Sequence, residues 1–251
     1  MRRLAVAIVI SAVILTTPEA VFAQMTVGGP TDAAPFGNPI SDESIYYHAI
    51  FNQLEGRLGS ENSFRWEGEA WAGTDINRIW LKSEGETNTK GDVEDGQHEL
   101  FYDRPISTYF DLQGGLRLDA DSGSGRTWAA IGVEGLAPLF FHVSATGYAS
   151  NEGHYAAKLE GDYDLLLTQR LILQPQVELN LYTKGDPAQR IESGLSDLDS
   201  GLRLRYEFSR KFAPYVAMTY ENRFGGTAAS FRAMGEGPSA VRFAVGLRAW
   251  L

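Results

Sequence analysis

The chain of 251 residues contains no cysteine, only four histidines and four methionines, and fewer basic than acidic side chains. Without cysteine, disulfide bridges and thiolate metal sites are excluded. The net charge of −10 argues against nucleic acid as a partner, since phosphate binding depends on clustered Lys and Arg. Beyond residue 23, no apolar run approaches the roughly 20 residues of a transmembrane helix, and no segment keeps a helical period.

The N-terminal residues have the organisation of a secretory signal. Arg2 and Arg3 precede a short apolar run that ends at Leu15, and Ala23 supplies the small residue before a cleavage site. A retained anchor helix is the alternative, but the run is short for a bilayer span. We therefore expect a signal peptide at residues 1–23. Residues 24–44, rich in proline and without periodicity, should form a flexible periplasmic arm.

From residue 45 onward, apolar and polar side chains alternate. In 171–182 one parity holds Leu171, Leu173, Val177, Leu179 and Leu181, and the other holds Gln174, Gln176, Glu178 and Asn180. Successive side chains of a strand point to opposite faces, so such a segment has one apolar and one polar face. A soluble β-sandwich would give the same pattern.

Segment length and spacing favour a membrane barrel over a sandwich. Most alternating segments run longer than the five or six residues usual in soluble sheets, and they match the about 9–11 residues of a tilted membrane strand. Short turns alternate with mostly longer polar links, as in outer-membrane barrels. We predict an antiparallel transmembrane β-barrel over residues 45–251 with twelve strands, ten being the alternative. The predicted strands are 47–58, 63–73, 77–86, 96–103, 107–119, 126–136, 140–149, 154–167, 171–183, 196–209, 212–224 and 240–251.

The last segment and the even strand number indicate how the barrel is inserted. Val241, Phe243, Val245 and Leu247 share one parity, and the chain ends in Trp250 and Leu251, which resembles the signal read by the barrel-assembly machinery. An even number of strands places both termini in the periplasm. The expected location is the outer membrane of a Gram-negative bacterium, in contact with its lipid and lipopolysaccharide.

Charged side chains of both signs share the inward parity. They include Arg65, Glu84, Lys158, Glu160, Glu178 and Arg203. Because an unpaired buried charge is costly, these groups must pair or stay hydrated, which predicts a narrow lumen. Most of them are expected to serve only as a structural lattice of ion pairs.

Several stretches resemble the copper-resistance B family of outer-membrane barrels. They are Phe64–Glu86, Tyr163–Pro175, Gly194–Glu207, Phe212–Val216 and Phe224–Ala228, and the resemblance covers roughly residues 45–251. It implies a barrel in copper resistance and homeostasis that binds or passes copper ions as cargo, without catalytic activity. It also implies a periplasmic multicopper oxidase or copper carrier as a partner. The Met- and His-rich extension of many family members has no counterpart here.

Candidate copper ligands are therefore sparse. Imidazole, thioether and carboxylate groups can all bind copper. His48 begins the first strand, and His98 follows an acidic stretch at residues 92–95. His142 and His154 share the inward parity but should lie at opposite ends of the barrel. The candidate ligands are His48, His98, Glu99, His142, His154 and Met234.

Two other functions remain open. His142 and Ser144 resemble the His-x-Ser pair of outer-membrane phospholipases, whose side chains face outward, but here the parity directs both inward. The main alternative is a general narrow solute pore without copper specificity.

Overall fold

The computed structural model describes residues 44–59, 62–120, 125–185, 191–235 and 237–251. The predicted signal peptide, 1–23, lies outside these residues, as does the predicted arm, 24–44, except for its last residue. Among the described residues, no helix is long and apolar enough to cross a membrane.

The described chain is almost entirely antiparallel sheet. Its strand segments are β1 (Tyr46–Leu58), β2 (Ser63–Gly73), β3 (Arg78–Asn88), β4 (Val93–Pro105), β5 (Phe110–Asp119), β6 (Arg126–Ala137), β7 (Phe141–Ser150), β8 (Tyr155–Asp162), β9 (Leu165–Leu166), β10 (Leu171–Tyr182), β11 (Gly194–Tyr206), β12 (Phe212–Arg223) and β13 (Ser239–Trp250). β8 and β9 both pair with β10 and form two parts of one barrel strand.

Pairing of the first strand with the last closes the sheet. Each strand pairs with its sequence neighbours, and β13 also pairs with β1 over Ile50–Leu58. The result is the closed 12-strand antiparallel barrel predicted from the alternation, and the ten-strand alternative is wrong. Strand 96–103, whose short predicted length suggested that alternative, is part of the 13-residue strand Val93–Pro105.

The interior is polar and the exterior apolar, the reverse of a soluble domain. Outward side chains such as Phe243 and Val245 are 64% and 60% exposed, whereas Glu55 and Asp103 on the inside are fully enclosed. This is the distribution that lipid around a barrel requires.

One link between strands is shorter than the predicted alternation of short turns and longer loops requires. Thr74–Asn77, Ile106–Tyr109, Pro138–Phe140, Leu167–Arg170 and Glu207–Lys211 join strands at one end, here named the short-turn end. The opposite end is named the loop end. There, the link predicted between strands 77–86 and 96–103 shrinks to residues 89–92, because the flanking strands extend into it.

The loop 225–239 contains a helix that the sequence did not predict, α1 (Gly225–Ala233). Its buried Thr227 accepts a hydrogen bond from the Glu192 amide at 3.0 Å. The Arg223 guanidinium lies 3.8 Å from the Phe231 ring centroid, so α1 packs against the loop end of β12.

A glycine in β13 makes room at the closing seam, the place where β13 pairs with β1. Gly246 pairs with Glu55 on β1 and with Tyr215 on β12. Over it, the Tyr215 hydroxyl donates to Glu55 Oε2 at 2.9 Å. A Cβ at this position would lie 2.7 Å from atoms of both partners. The hydrogen bond therefore depends on the absence of a side chain.

We predict that Gly246→Val destabilises the barrel by about 1–3 kcal/mol, because the added methyl groups overpack the seam. The measurement is urea unfolding of the purified protein in detergent, followed by tryptophan fluorescence. Gly56→Ala on β1 is the control, since its Cβ would meet nothing within 4 Å. Equal stability of the Gly246→Val variant and the wild type would contradict this account of the seam.

Candidate functional site: the charged lumen

Ion pairs fill the loop-end half of the lumen. Arg57, 2% exposed, donates to Glu55 at 2.8 Å and to Glu86 at 3.1 Å. Asp199 lies 3.7 Å from the same guanidinium, and Arg242 donates to Glu86 at 2.8 Å. These side chains come from β1, β3, β11 and β13, so the network ties the seam to strands on either side of it.

A second network crosses the middle of the lumen. Lys158 Nζ on β8 lies 2.6 Å from Glu84 on β3 and 3.0 Å from Glu160. Since β3 and β8 are not neighbours in the sheet, the contact with Glu84 spans the interior. Glu178 on β10 lies 3.7 Å from the same ammonium, and Arg65 lies 3.6 Å from Glu178. The lumen is closed to a wide aqueous channel at this level.

A cavity of about 270 Å³ lies beside the second network. Its lining draws on strand positions near the short turns, such as His142 and Asp162, and extends to the mid-lumen carboxylates. Nine carboxylates and four cationic side chains line it. The carboxylates are Glu67, Glu69, Glu84, Glu99, Glu134, Glu160, Asp162, Asp164 and Glu178, and the cations are Lys82, Lys158, Arg203 and Arg248. Such a surplus of negative charge favours cations over anions.

An aromatic cluster packs against one wall of the lumen. Phe101, Trp128 and Tyr148 are almost completely buried together. The Tyr148 hydroxyl donates to Glu99 at 2.7 Å, and the Arg117 guanidinium lies 4.8 Å from the Tyr148 ring centroid. The cluster holds Glu99 in position at the cavity wall.

The six predicted ligands do not form one site. Glu99 and His142 line the cavity, whereas His154 lies in the link 151–154 at the loop end and Met234 follows α1. His142 and His154 thus stand at opposite ends of β7, as predicted from the strand order. His98 points to the outer face of β4, opposite to Glu99, so these two chain neighbours cannot share an ion in the lumen.

His98 belongs instead to a hydrogen-bonded row on the outer surface. Its Nδ1 lies 3.0 Å from Ser83 Oγ, which accepts a hydrogen bond from Trp66 Nε1 at 3.1 Å. The side chains of Trp66, Ser83 and His98 thus hydrogen-bond to one another beside apolar neighbours.

His48 faces the lumen because β1 is irregular. The pairing shifts between Phe51 and Gln53, so the inward parity changes within the strand. The ring of His48 lies 5.5 Å from Trp250 and 6.3 Å from Trp71, both at the short-turn end. Strict alternation from Glu55 and Arg57 would have placed His48 on the outside.

The sequence did not predict the carboxylate cluster. Among described histidines, aspartates and glutamates, the group of three or more whose ligand atoms lie within 4.8 Å of one another is Glu84, Glu160 and Glu178. Parity had placed each of these glutamates inward, but no sequence signal shows that β3, β8 and β10 bring them together across the lumen.

The pair proposed for a lipase-like site points inward, as its parity predicted. His142 lines the cavity, and Ser144 Oγ donates to Glu160 at 2.6 Å. Neither side chain is presented to lipid, so the outward His-x-Ser arrangement is not formed.

Comparison with known proteins identifies the family. The family model described as copper resistance protein B precursor (CopB) matches residues 45–251. The chain belongs to the copper resistance protein B family. It is 42% identical over 228 residues to copper resistance protein B of Escherichia coli, covering 88% of this chain and 77% of the relative. A homolog from Pseudomonas syringae pv. tomato is 41% identical over 215 residues, covering 85% of this chain and 73% of that one.

Solved structures share the fold. The NanC porin superposes with a TM-score of 0.52 at 14% identity, covering 81% of this chain and 99% of that chain. At this identity the likeness concerns the fold alone. Family and fold together support a location in the outer membrane, and membership of the family supports a role in copper resistance.

We predict that Arg57→Met destabilises this copper resistance barrel by about 3–5 kcal/mol, because it leaves buried carboxylates without their counter-ion. Urea unfolding in detergent micelles measures the loss. Arg104→Met removes an exposed arginine from β4 and should leave the unfolding midpoint nearly unchanged. An Arg57→Met midpoint equal to that of the control would show that the loop-end network adds no stability.

Proposed function

We propose that the barrel binds copper ions in its acidic lumen and passes them between the exterior and the periplasm. The observation that carries the proposal is the cavity, where nine carboxylates face four cationic side chains in a member of a copper resistance family. Copper is the cargo here and takes no part in catalysis.

The donor set of the cavity suits a hydrated divalent cation. Carboxylate and amide oxygens bind hard or borderline ions, and Cu(II) binds more strongly than the other divalent first-row metals at a given oxygen or nitrogen site. His142 adds one imidazole to the lining. The proposed selectivity rests mainly on electrostatic attraction of cations, and few ligands coordinate the ion directly.

The proposed orientation follows the usual arrangement of outer-membrane barrels, with short turns toward the periplasm. Both ends of the barrel chain, Tyr46 and Trp250, lie at the short-turn end. The cavity would then open toward the periplasm, where a copper carrier or a multicopper oxidase would exchange copper with it.

A general narrow pore is the second candidate. It is favoured by one observation: among the described residues, the predicted histidine and methionine ligands are dispersed rather than clustered. The two candidates differ in whether protection depends on copper or on solute size.

The first test of the proposal is copper tolerance and periplasmic copper content in a strain lacking the gene. We expect deletion to lower tolerance and the wild-type gene to restore it. The double variant Glu99→Gln/Glu134→Gln removes two carboxylates from the cavity and should restore tolerance incompletely. The control Asp75→Asn/Glu152→Gln removes the same charge from exposed links and should restore it fully.

Equal complementation by the two double variants, with normal outer-membrane levels, would refute the role of the acidic cavity. No effect of deletion on tolerance or copper content would favour the general pore. Replacing His48, His98, His142 and His154 by Gln separates coordination from charge. Full complementation by this variant supports an electrostatic path, and failure supports binding by imidazole.

A further inference from the structure

Among the described residues, one group of three carboxylates lies close enough together to hold a metal ion, and Lys158 occupies its centre. Its side chain is 7% exposed, and its ammonium contacts Glu84, Glu160 and Glu178 at 2.6, 3.0 and 3.7 Å. This arrangement is that of a cation bound by three oxygen ligands, with the cation supplied by the chain itself.

The cluster is open to the cavity on one side. Glu160 keeps 41% of its side chain exposed, whereas Glu84 and Glu178 keep 18%. All three belong to the cavity lining. A cation that enters the cavity therefore reaches the carboxylates from the side of Glu160.

A buried amide beside the cluster offers a further oxygen ligand. Gln97 on β4 pairs with Glu84 on β3 and lines the same cavity, and it is 8% exposed. Its Oε1 has no hydrogen-bond partner. A buried acceptor left unpaired costs about 1–3 kcal/mol, so a native structure is expected to satisfy it with a ligand or water. A hydrated cation held by the cluster would supply such a partner.

We propose that Lys158 is the internal counter-cation of a divalent-cation site formed by Glu84, Glu160 and Glu178, and that a permeating divalent ion displaces its ammonium. Once the ammonium has moved aside, the three carboxylates and the guanidinium of Arg65 leave two negative charges, which matches a divalent ion. The flexible stem of lysine allows its head group to move aside. Arg65 also faces the cluster, 3.8 Å from Glu84 and 3.6 Å from Glu178, and stays as a fixed counter-charge.

The site deepens the proposed function and rests on it only for the identity of the cargo. Its ligands are all oxygen, and such donors suit Cu(II), whereas Cu(I) prefers sulfur. If copper is the cargo, the ion that passes this point is Cu(II).

Binding of Mn²⁺ to the purified full-length protein in detergent, measured by electron paramagnetic resonance, tests the inference. Lys158→Gln should tighten Mn²⁺ binding by about tenfold or more, because it removes a positive charge in direct contact with the ligands. Lys82→Gln is the matched control. It removes the same charge from the same cavity, where Lys82 pairs with Glu134 at 2.5 Å.

The control should tighten binding by less than about threefold, since the Lys82 ammonium pairs with Glu134 and acts on the three carboxylates only at longer range. A gain in Lys82→Gln equal to that in Lys158→Gln would overturn the proposal in favour of net charge alone. Adding Glu178→Gln to Lys158→Gln should remove the gain, and a retained gain would place the Mn²⁺ elsewhere.

A second measurement covers the case in which Lys158→Gln does not fold. Mn²⁺ should lower the K⁺ conductance of the wild-type protein in planar bilayers, and Glu178→Gln should raise the blocking concentration severalfold. An unchanged blocking concentration would refute the site. Neither measurement uses copper, so the failure of this proposal and the failure of the copper role are distinguishable.

Discussion

Closure of the sheet is the constraint on which the rest of the structure depends. Lipid offers no hydrogen-bond partner, so an open strand edge cannot stand in the membrane, and the first and last strands must pair. The pairing of β13 with β1 meets this need, and Gly246 allows Tyr215 and Glu55 to meet across it. Closure also fixes the circumference, and thereby the space into which every inward side chain must fit.

The charged lumen follows from that fixed space. The strands carry long charged side chains on their inner face, and in a barrel of this size groups from opposite walls come within reach. Lys158 reaches Glu84 across the interior, and Arg57 gathers carboxylates from three strands. Each group would be costly to bury alone, so the ion pairs form together and leave a cavity beside the middle network.

The sequence predicted what depends on local periodicity and failed where distant strands meet. The alternation of polar and apolar residues was sufficient to predict twelve strands and the inward orientation of Glu84, Lys158 and Glu178. It could not predict that these side chains converge, because register and tilt decide which of them meet across the lumen. The irregularity in β1 reverses the parity within one strand and brings His48 inward. Helix α1 is only nine residues long, and its stability comes from packing on β11 and β12.

In the proposed function, a lumen filled with ion pairs couples stability to permeation. If the carboxylates faced an open channel, cations would pass without displacing anything, and the wall would lose the pairs that hold opposite strands together. If every carboxylate were fully paired, no ion could enter. The cavity lies between these limits: its carboxylates outnumber its cationic side chains, and Lys158 pairs with the central carboxylates. In the proposed exchange, the entering cation replaces the ammonium of Lys158 at the carboxylates, so an ion is admitted without leaving them unpaired.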